Sequence, residues 1–214
     1  MQLKEIEKLA ASVMEKAVDA KEVAGVNLLV LKDKAPVLSL QAGYADLENK
    51  VLMADDTIMR LYSMSKPVTA ACMMILMQRG LVDLNDPVSK FIPAFANQTY
   101  VNGNALSLVQ RPMTVHDLLF MTSGLSYGSD SAAGKATSDL FAEMDARLST
   151  KDAMTTREFA DRVGKNPLEF EPSSNFMYGI SADILGALIE VPWLWCSHPL
   201  LLLHFHKKRW IRPV

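Results

Sequence analysis

A serine and a lysine three positions apart are the residues of this chain best suited to do chemistry. Ser63 and Lys66 stand in Ser63-Met64-Ser65-Lys66, at the start of a helix predicted over residues 63–79. Residues with this spacing share a helical face, so an amine lies beside a hydroxyl. A serine hydroxyl is a poor nucleophile until a base takes its proton, and a lysine can be that base only if burial or nearby cations lower its pKa.

Two further features bear on this pair. Ser65 points roughly 100° away from Lys66 around the helix and is therefore the weaker nucleophile candidate. Amide groups at a helix N-terminus are unpaired, so the N–H of Ser63 could also hold a developing oxyanion. By itself the S-x-x-K spacing is common by chance, and the alternative is a capping serine followed by a solvated lysine.

The elements that would position these residues indicate an α+β protein. An amphipathic helix is predicted over residues 3–17, and two apolar runs around a polar turn, 26–31 and 37–42, predict a β-hairpin. The other expected elements are an extended piece (57–62), a long surface loop (122–153) and three helices: 113–121, 155–163 and 181–190.

Composition narrows the classes of function. The net charge of −2 and the pI near 6.1 provide no basic field, so neither nucleic acid nor an anionic membrane is an expected partner. Two cysteines, Cys72 and Cys196, make no disulfide framework, and Cys72 is expected to be a buried reduced thiol. No cofactor and no metal is predicted, since His204-x-His206 lacks a third ligand. The start of the chain lacks a secretory signal pattern, which predicts a cytoplasmic protein. No membrane span is expected, because the apolar run around residues 200–203 is interrupted and falls well short of the roughly 20 residues that a span needs.

Composition also changes near residue 190. All three tryptophans and three of the four histidines follow residue 191, and the four charged residues there are all basic. The sequence therefore predicts one domain over residues 1–190 and an aberrant tail over residues 191–214.

Three blocks of the chain resemble, in order and spacing, the class C β-lactamase and esterase family of penicillin-recognising serine hydrolases. The resemblance spans residues 1–190. It implies an incomplete β-lactamase/transpeptidase-like fold, with an antiparallel sheet flanked by helices and the C-terminal sheet strands missing. The blocks are Leu61-Tyr-Ser-Met-Ser-Lys-Pro-Val-Thr-Ala70, Gly80-Leu-Val-Asp-Leu-Asn-Asp-Pro-Val-Ser-Lys-Phe-Ile-Pro93 and Met113-Thr-Val-His-Asp-Leu-Leu-Phe-Met-Thr-Ser-Gly-Leu125.

The resemblance implies roles for three residues. Ser63 would be the acylated nucleophile, Lys66 its proton acceptor, and Tyr178 a phenol that passes the proton to the leaving group. Two positions depart from the family pattern: Ile180 stands where the lactamases carry an asparagine, and Met121 where many relatives carry a histidine. The loss of the asparagine resembles the esterase and acyltransferase branch more than the β-lactamases.

Two hypotheses remain open. The first is an acyl-transferring serine hydrolase that acts on a small-molecule ester or amide. The second is a catalytically inactive fragment, because relatives continue beyond residue 190 into a strand with a Lys-Thr-Gly or His-x-Gly motif and a second oxyanion N–H, and neither motif occurs here. The second hypothesis predicts ester hydrolysis no faster than in a Ser63→Ala variant, and self-association through an uncompleted sheet edge.

Overall fold

The chain divides into two compact units, Met1–Leu61 and Tyr62–Val214, in a computed structural model that describes residues 3–195. Both units combine helices with small antiparallel sheets, which confirms the predicted α+β class.

The first unit is a helix on a three-stranded sheet. Helix α1 (Leu3–Asp19) packs against the hairpin of β1 (Gly25–Lys32) and β2 (Ala35–Asp46), and β2 also pairs with β3 (Val51–Leu52). The hairpin turn consists of Asp33 and Lys34, whose φ angles of 51° and 66° are those of the primed turns that match strand twist. The predicted helix and hairpin are confirmed.

The second unit is built around one apolar helix. Helix α6 (Ser181–Trp195) packs against α2 (Ser65–Gln78), α3 (Val115–Leu119) and α5 (Thr156–Val163). The unit also contains α4 (Ala132–Arg147) and a hairpin of β4 (Thr99–Asn102) and β5 (Ala105–Leu108). The fully buried large side chains of this core include Met73, Leu76, Leu118, Ile184 and Leu188.

Threonine caps begin two of the predicted helices. The Thr114 hydroxyl accepts a hydrogen bond from the amide of Asp117 at 3.4 Å, and the Thr155 hydroxyl accepts one from Glu158 at 3.1 Å. Each cap satisfies an amide that has no partner within its helix. Both helices therefore begin where their sequence predicts.

Three expectations are wrong. Residues 122–153, expected to be a loop, contain helix α4; the residues that this helix buries are mostly small and give a weak hydrophobic pattern: Ala133, Gly134 and Thr137, with Leu140. The extended piece expected over residues 57–62 does not reach residue 62, which begins a 3₁₀ turn, and residues 57–61 belong to no helix or strand. Cys72 is partly rather than fully buried. The β4–β5 hairpin was not predicted, since four-residue strands offer too little alternation to detect.

The C-terminal boundary stays a prediction. Helix α6 passes residue 190 and ends at Trp195, and residues 196–214, which hold most of the predicted tail, lie outside the described residues. Within residues 3–195, no helix combines the length and apolarity needed to cross a membrane.

Candidate active site

The predicted nucleophile lies in a tight turn just before helix α2. Ser63 is the middle residue of a 3₁₀ turn, Tyr62–Met64, and not the first residue of the α-helix as expected. Tyr62 has a φ of 47°, in the left-handed region that costs a residue with a β-carbon about 1–2 kcal/mol. This backbone exposes Ser63 at the entrance to the helix, a kind of strain that concentrates at functional sites.

Lys66 lies one turn further on and faces Ser63. Its Nζ atom donates a hydrogen bond to Ser63 Oγ over 3.2 Å, as the spacing predicts. The Ser65 carbonyl accepts a hydrogen bond from the Thr69 hydroxyl one turn further on. The structure therefore brings Ser63 and Lys66 together, while their catalytic roles stay predictions.

Two tyrosines enclose the Lys66 amine. Nζ donates a second hydrogen bond to the Tyr127 hydroxyl at 2.8 Å. It also lies 4.8 Å from the ring centroid of Tyr178 and 5.4 Å from that of Tyr127, within cation–π range of both. The two rings are tilted against each other with centroids 6.1 Å apart. The predicted Tyr178 is thus part of the cluster, and Tyr127 is an addition to it.

The pKa of Lys66 moves in the direction opposite to the one that a role as base would require. Desolvation alone would lower it, but hydrogen bonds to Tyr127 and then Tyr178 outweigh this effect, so the pKa rises above 10.5. Hydrogen bonding to Ser63 and to Lys66 lowers the pKa of Tyr178 below 10.0. Asp183 also interacts with Lys66, and desolvation of its carboxyl group raises its pKa although the residue as a whole stays exposed. The condition set by the sequence argument, a neutral lysine, is therefore not met.

The segments that carry the two tyrosines pack backbone against backbone. A side chain at Gly179 would collide with the carbonyl oxygen of Leu125, so only glycine allows this approach. Gly124, with φ of 80°, fits closely against the carbonyl of Phe170. These contacts fix the position of Tyr178 relative to the chain just before Tyr127.

The buried carboxylate of Asp117 connects the same segments. It forms a bidentate ion pair with Arg111 at 2.7 and 3.0 Å, and it also accepts hydrogen bonds from Thr114, Thr122 and Ser173. Desolvation would raise its pKa, but the bonds from Arg111 and Thr114 lower it below 3.8. Asp117 therefore remains charged, and it links the segment before Tyr127 to the segment before Tyr178.

Tyr127 and Asp117 were not predicted from the sequence. Asp117 lies inside the third block of resemblance, and Tyr127 lies two residues after the end of that block. Neither residue has a spacing relation to Ser63 that a single sequence reveals. Ile180 is fully buried in the core, so it offers no side chain to the site, and Met121 adopts a left-handed φ of 58°.

Comparison with known proteins identifies the family. The family model described as beta-lactamase matches residues 10–192. The chain therefore belongs to the beta-lactamase family, which confirms the resemblance on which Ser63, Lys66 and Tyr178 were aligned.

The relatives include esterases and acyltransferases. Esterase EstB of Burkholderia gladioli is 29% identical over 184 residues, which are 84% of this chain and 43% of the esterase. Acyltransferase calJ of Penicillium decumbens is 30% identical over 160 residues, 72% of this chain and 36% of that protein. The solved structure of EstCE1, a hydrolase with promiscuous acyltransferase activity, superposes with a TM-score of 0.73 at 28% identity, covering 89% of this chain and 48% of EstCE1. The chain thus spans less than half the length of these relatives.

Proposed function

We propose that this protein transfers acyl groups from small esters through an acyl-enzyme formed on Ser63. The observation that carries the proposal is the 3.2 Å contact between Lys66 Nζ and Ser63 Oγ, together with the Tyr178 ring, whose centroid lies 4.8 Å from Lys66 Nζ. The similarity to an esterase, an acyltransferase and a hydrolase with acyltransferase activity supports the same chemistry.

The pKa directions favour Tyr178 over Lys66 as the proton acceptor. Lys66 stays an ammonium, and its charge stabilises a Tyr178 phenolate. The phenolate takes the proton of Ser63 as Oγ attacks the acyl carbon, and the N–H of Ser63 is available to the developing oxyanion. The tetrahedral intermediate then expels the alcohol, which receives the proton from Tyr178. Water or an acceptor alcohol attacks the acyl-enzyme by the reverse steps and restores Ser63.

Esters are the expected substrates, because Ile180 replaces the amide-bearing residue of the lactamases and is buried. We expect p-nitrophenyl butyrate to be hydrolysed with a much higher kcat/KM than a chromogenic cephalosporin. The measurement is made on the parent and the Ser63→Ala variant in parallel, so that only Ser63-dependent turnover is compared. A preference for the cephalosporin would contradict the esterase assignment.

The second candidate is a protein that carries the nucleophile but does not turn over. It is favoured by the pKa of Lys66, which lies above its ordinary value, so the amine beside Ser63 is not the neutral base that a serine–lysine pair needs. Ester hydrolysis equal to that of Ser63→Ala would favour this candidate over the esterase.

We further propose that β1 pairs with β1 of a second copy. Only β2 pairs with β1 among residues 3–195, so one edge of β1 is open. Leu29 and Leu31 on this strand are each 57% exposed, and the strand has no charge before Lys32. An antiparallel pair of identical strands would place the two Lys32 side chains at opposite ends. A long apolar edge of this kind favours association.

Charges on β1 are expected to prevent this association. The double variant Leu29→Lys with Leu31→Lys should remain monomeric in sedimentation velocity, whereas the parent should form larger species as concentration rises. Leu47→Lys is the matched control, because Leu47 is 61% exposed but follows β2. A parent that stays monomeric, or a control that behaves like the double variant, would reject the proposed pairing.

A further inference from the structure

We propose that Tyr127 is a positioning residue of the site, whose hydroxyl holds the Lys66 ammonium in place beside Ser63 and Tyr178. This inference deepens the proposed function and rests on it for the roles of Ser63 and Lys66. No part of the S-x-x-K motif or of the Tyr178 segment predicts such a residue.

The contact geometry singles out Tyr127. Its hydroxyl lies 2.8 Å from Lys66 Nζ, closer than Ser63 Oγ at 3.2 Å. A hydrogen bond to a charged donor is among the stronger polar contacts in proteins. Because a lysine side chain has four rotatable bonds, an acceptor on one side and the Tyr178 ring on the other restrict where its amine can lie.

The loop that carries Tyr127 is anchored by residues before and after it in the chain. The flanking residues Ser126 and Ser129 both donate hydrogen bonds to the same oxygen of Glu169, at 3.0 and 2.7 Å. The Tyr127 ring stacks on the Phe141 ring with centroids 6.4 Å apart, and the Phe141 centroid lies 5.6 Å from that of the buried Phe159. Two contacts therefore fix the position of the Tyr127 hydroxyl. Its loop is bonded to Glu169, and its ring packs through Phe141 against the core residue Phe159.

The charged and titratable groups around the Lys66 ammonium are Tyr127, Tyr178 and Asp183. Tyr127 is the first of the hydrogen-bonding partners that oppose the desolvation of Lys66 and keep its pKa high. Without that hydroxyl, desolvation is less well opposed, so the Lys66 pKa falls. The neutral share of Lys66 then increases, and the neutral amine does not stabilise the Tyr178 phenolate. Tyr127 therefore acts on Ser63 through Lys66.

The test is Tyr127→Phe, which keeps the ring and removes the hydroxyl. The first readout is the reaction of Lys66 with trinitrobenzenesulfonate across pH, measured by peptide mass spectrometry, because only the neutral amine reacts. We expect Lys66 of the variant to react about tenfold faster at a given pH, the factor expected from one hydrogen bond to a charged group. Lys135 on α4 serves as the internal reference, and Tyr100→Phe as the matched variant.

The second readout is the rate at which a fluorophosphonate labels Ser63, which should fall about tenfold in Tyr127→Phe and not in Tyr100→Phe. A purely structural role would slow labelling and lower the melting temperature without moving the Lys66 profile. An unchanged Lys66 profile, or a shifted profile with parental labelling of Ser63, overturns the positioning role. If the parent is not labelled at Ser63, the proposed function fails, and the Lys66 profile still decides whether Tyr127 holds the ammonium.

Discussion

Replacing Ser63 by alanine is expected to abolish covalent labelling by a fluorophosphonate, whereas Ser65→Ala should label like the parent. The reason is geometric: Ser63 Oγ is within 3.2 Å of Lys66 Nζ, and the Ser65 side chain makes no such contact in the described part of the chain. Intact-mass spectrometry after a fixed exposure to the probe counts the adducts directly.

The two serines form a matched pair, since they are two residues apart and the same substitution is made at each. Peptide mapping of the parent adduct should place it on Ser63. Persistent labelling of Ser63→Ala, or loss of labelling in Ser65→Ala, would overturn the assignment of the nucleophile.

Replacing Tyr178 by phenylalanine is expected to slow the labelling of Ser63 by about 10²–10⁴-fold, the range typical for loss of a general acid–base group. The pKa of Tyr178 lies below 10.0, so its phenolate becomes populated as pH rises toward that value. The labelling rate of the parent should therefore increase with pH in this range. Lys66 remains charged there, because its pKa lies above 10.5.

The pH profile separates a chemical role of Tyr178 from a structural one. In Tyr178→Phe the alkaline increase should disappear, and Tyr100→Phe should retain both the parental rate and the parental profile. The profile is obtained by repeating the timed labelling between neutral pH and pH 10. A Tyr178→Phe variant that labels at the parental rate and with the same increase with pH would show that another group accepts the Ser63 proton.

Local patterns predicted much of the fold. The α1 periodicity, the β1–β2 hairpin and the threonine caps of α3 and α5 depend on neighbouring residues, which a single sequence displays. Helix α4 was not predicted because its buried face consists mostly of small residues, which produce only a weak hydrophobic periodicity in the sequence.

Site residues were predicted only if they are neighbours in the sequence or if the family resemblance includes them. Ser63 and Lys66 are three residues apart, and Tyr178 came from the resemblance. Tyr127 is 61 residues from Lys66, so their contact arises from packing and has no signature in the sequence. The direction of the Lys66 pKa could not be predicted for the same reason, because it depends on two hydroxyls brought by other segments.

The Asp117 carboxylate has a consequence for how the site opens. One group joins Arg111, Thr114, Thr122 and Ser173, which belong to three separate stretches of chain. Partial release of one stretch would leave a buried charge with fewer partners, so releasing the stretches one at a time costs more than releasing them together. We therefore expect the loops leading to both tyrosines to open as one cooperative unit, whose amides exchange with solvent in the same event.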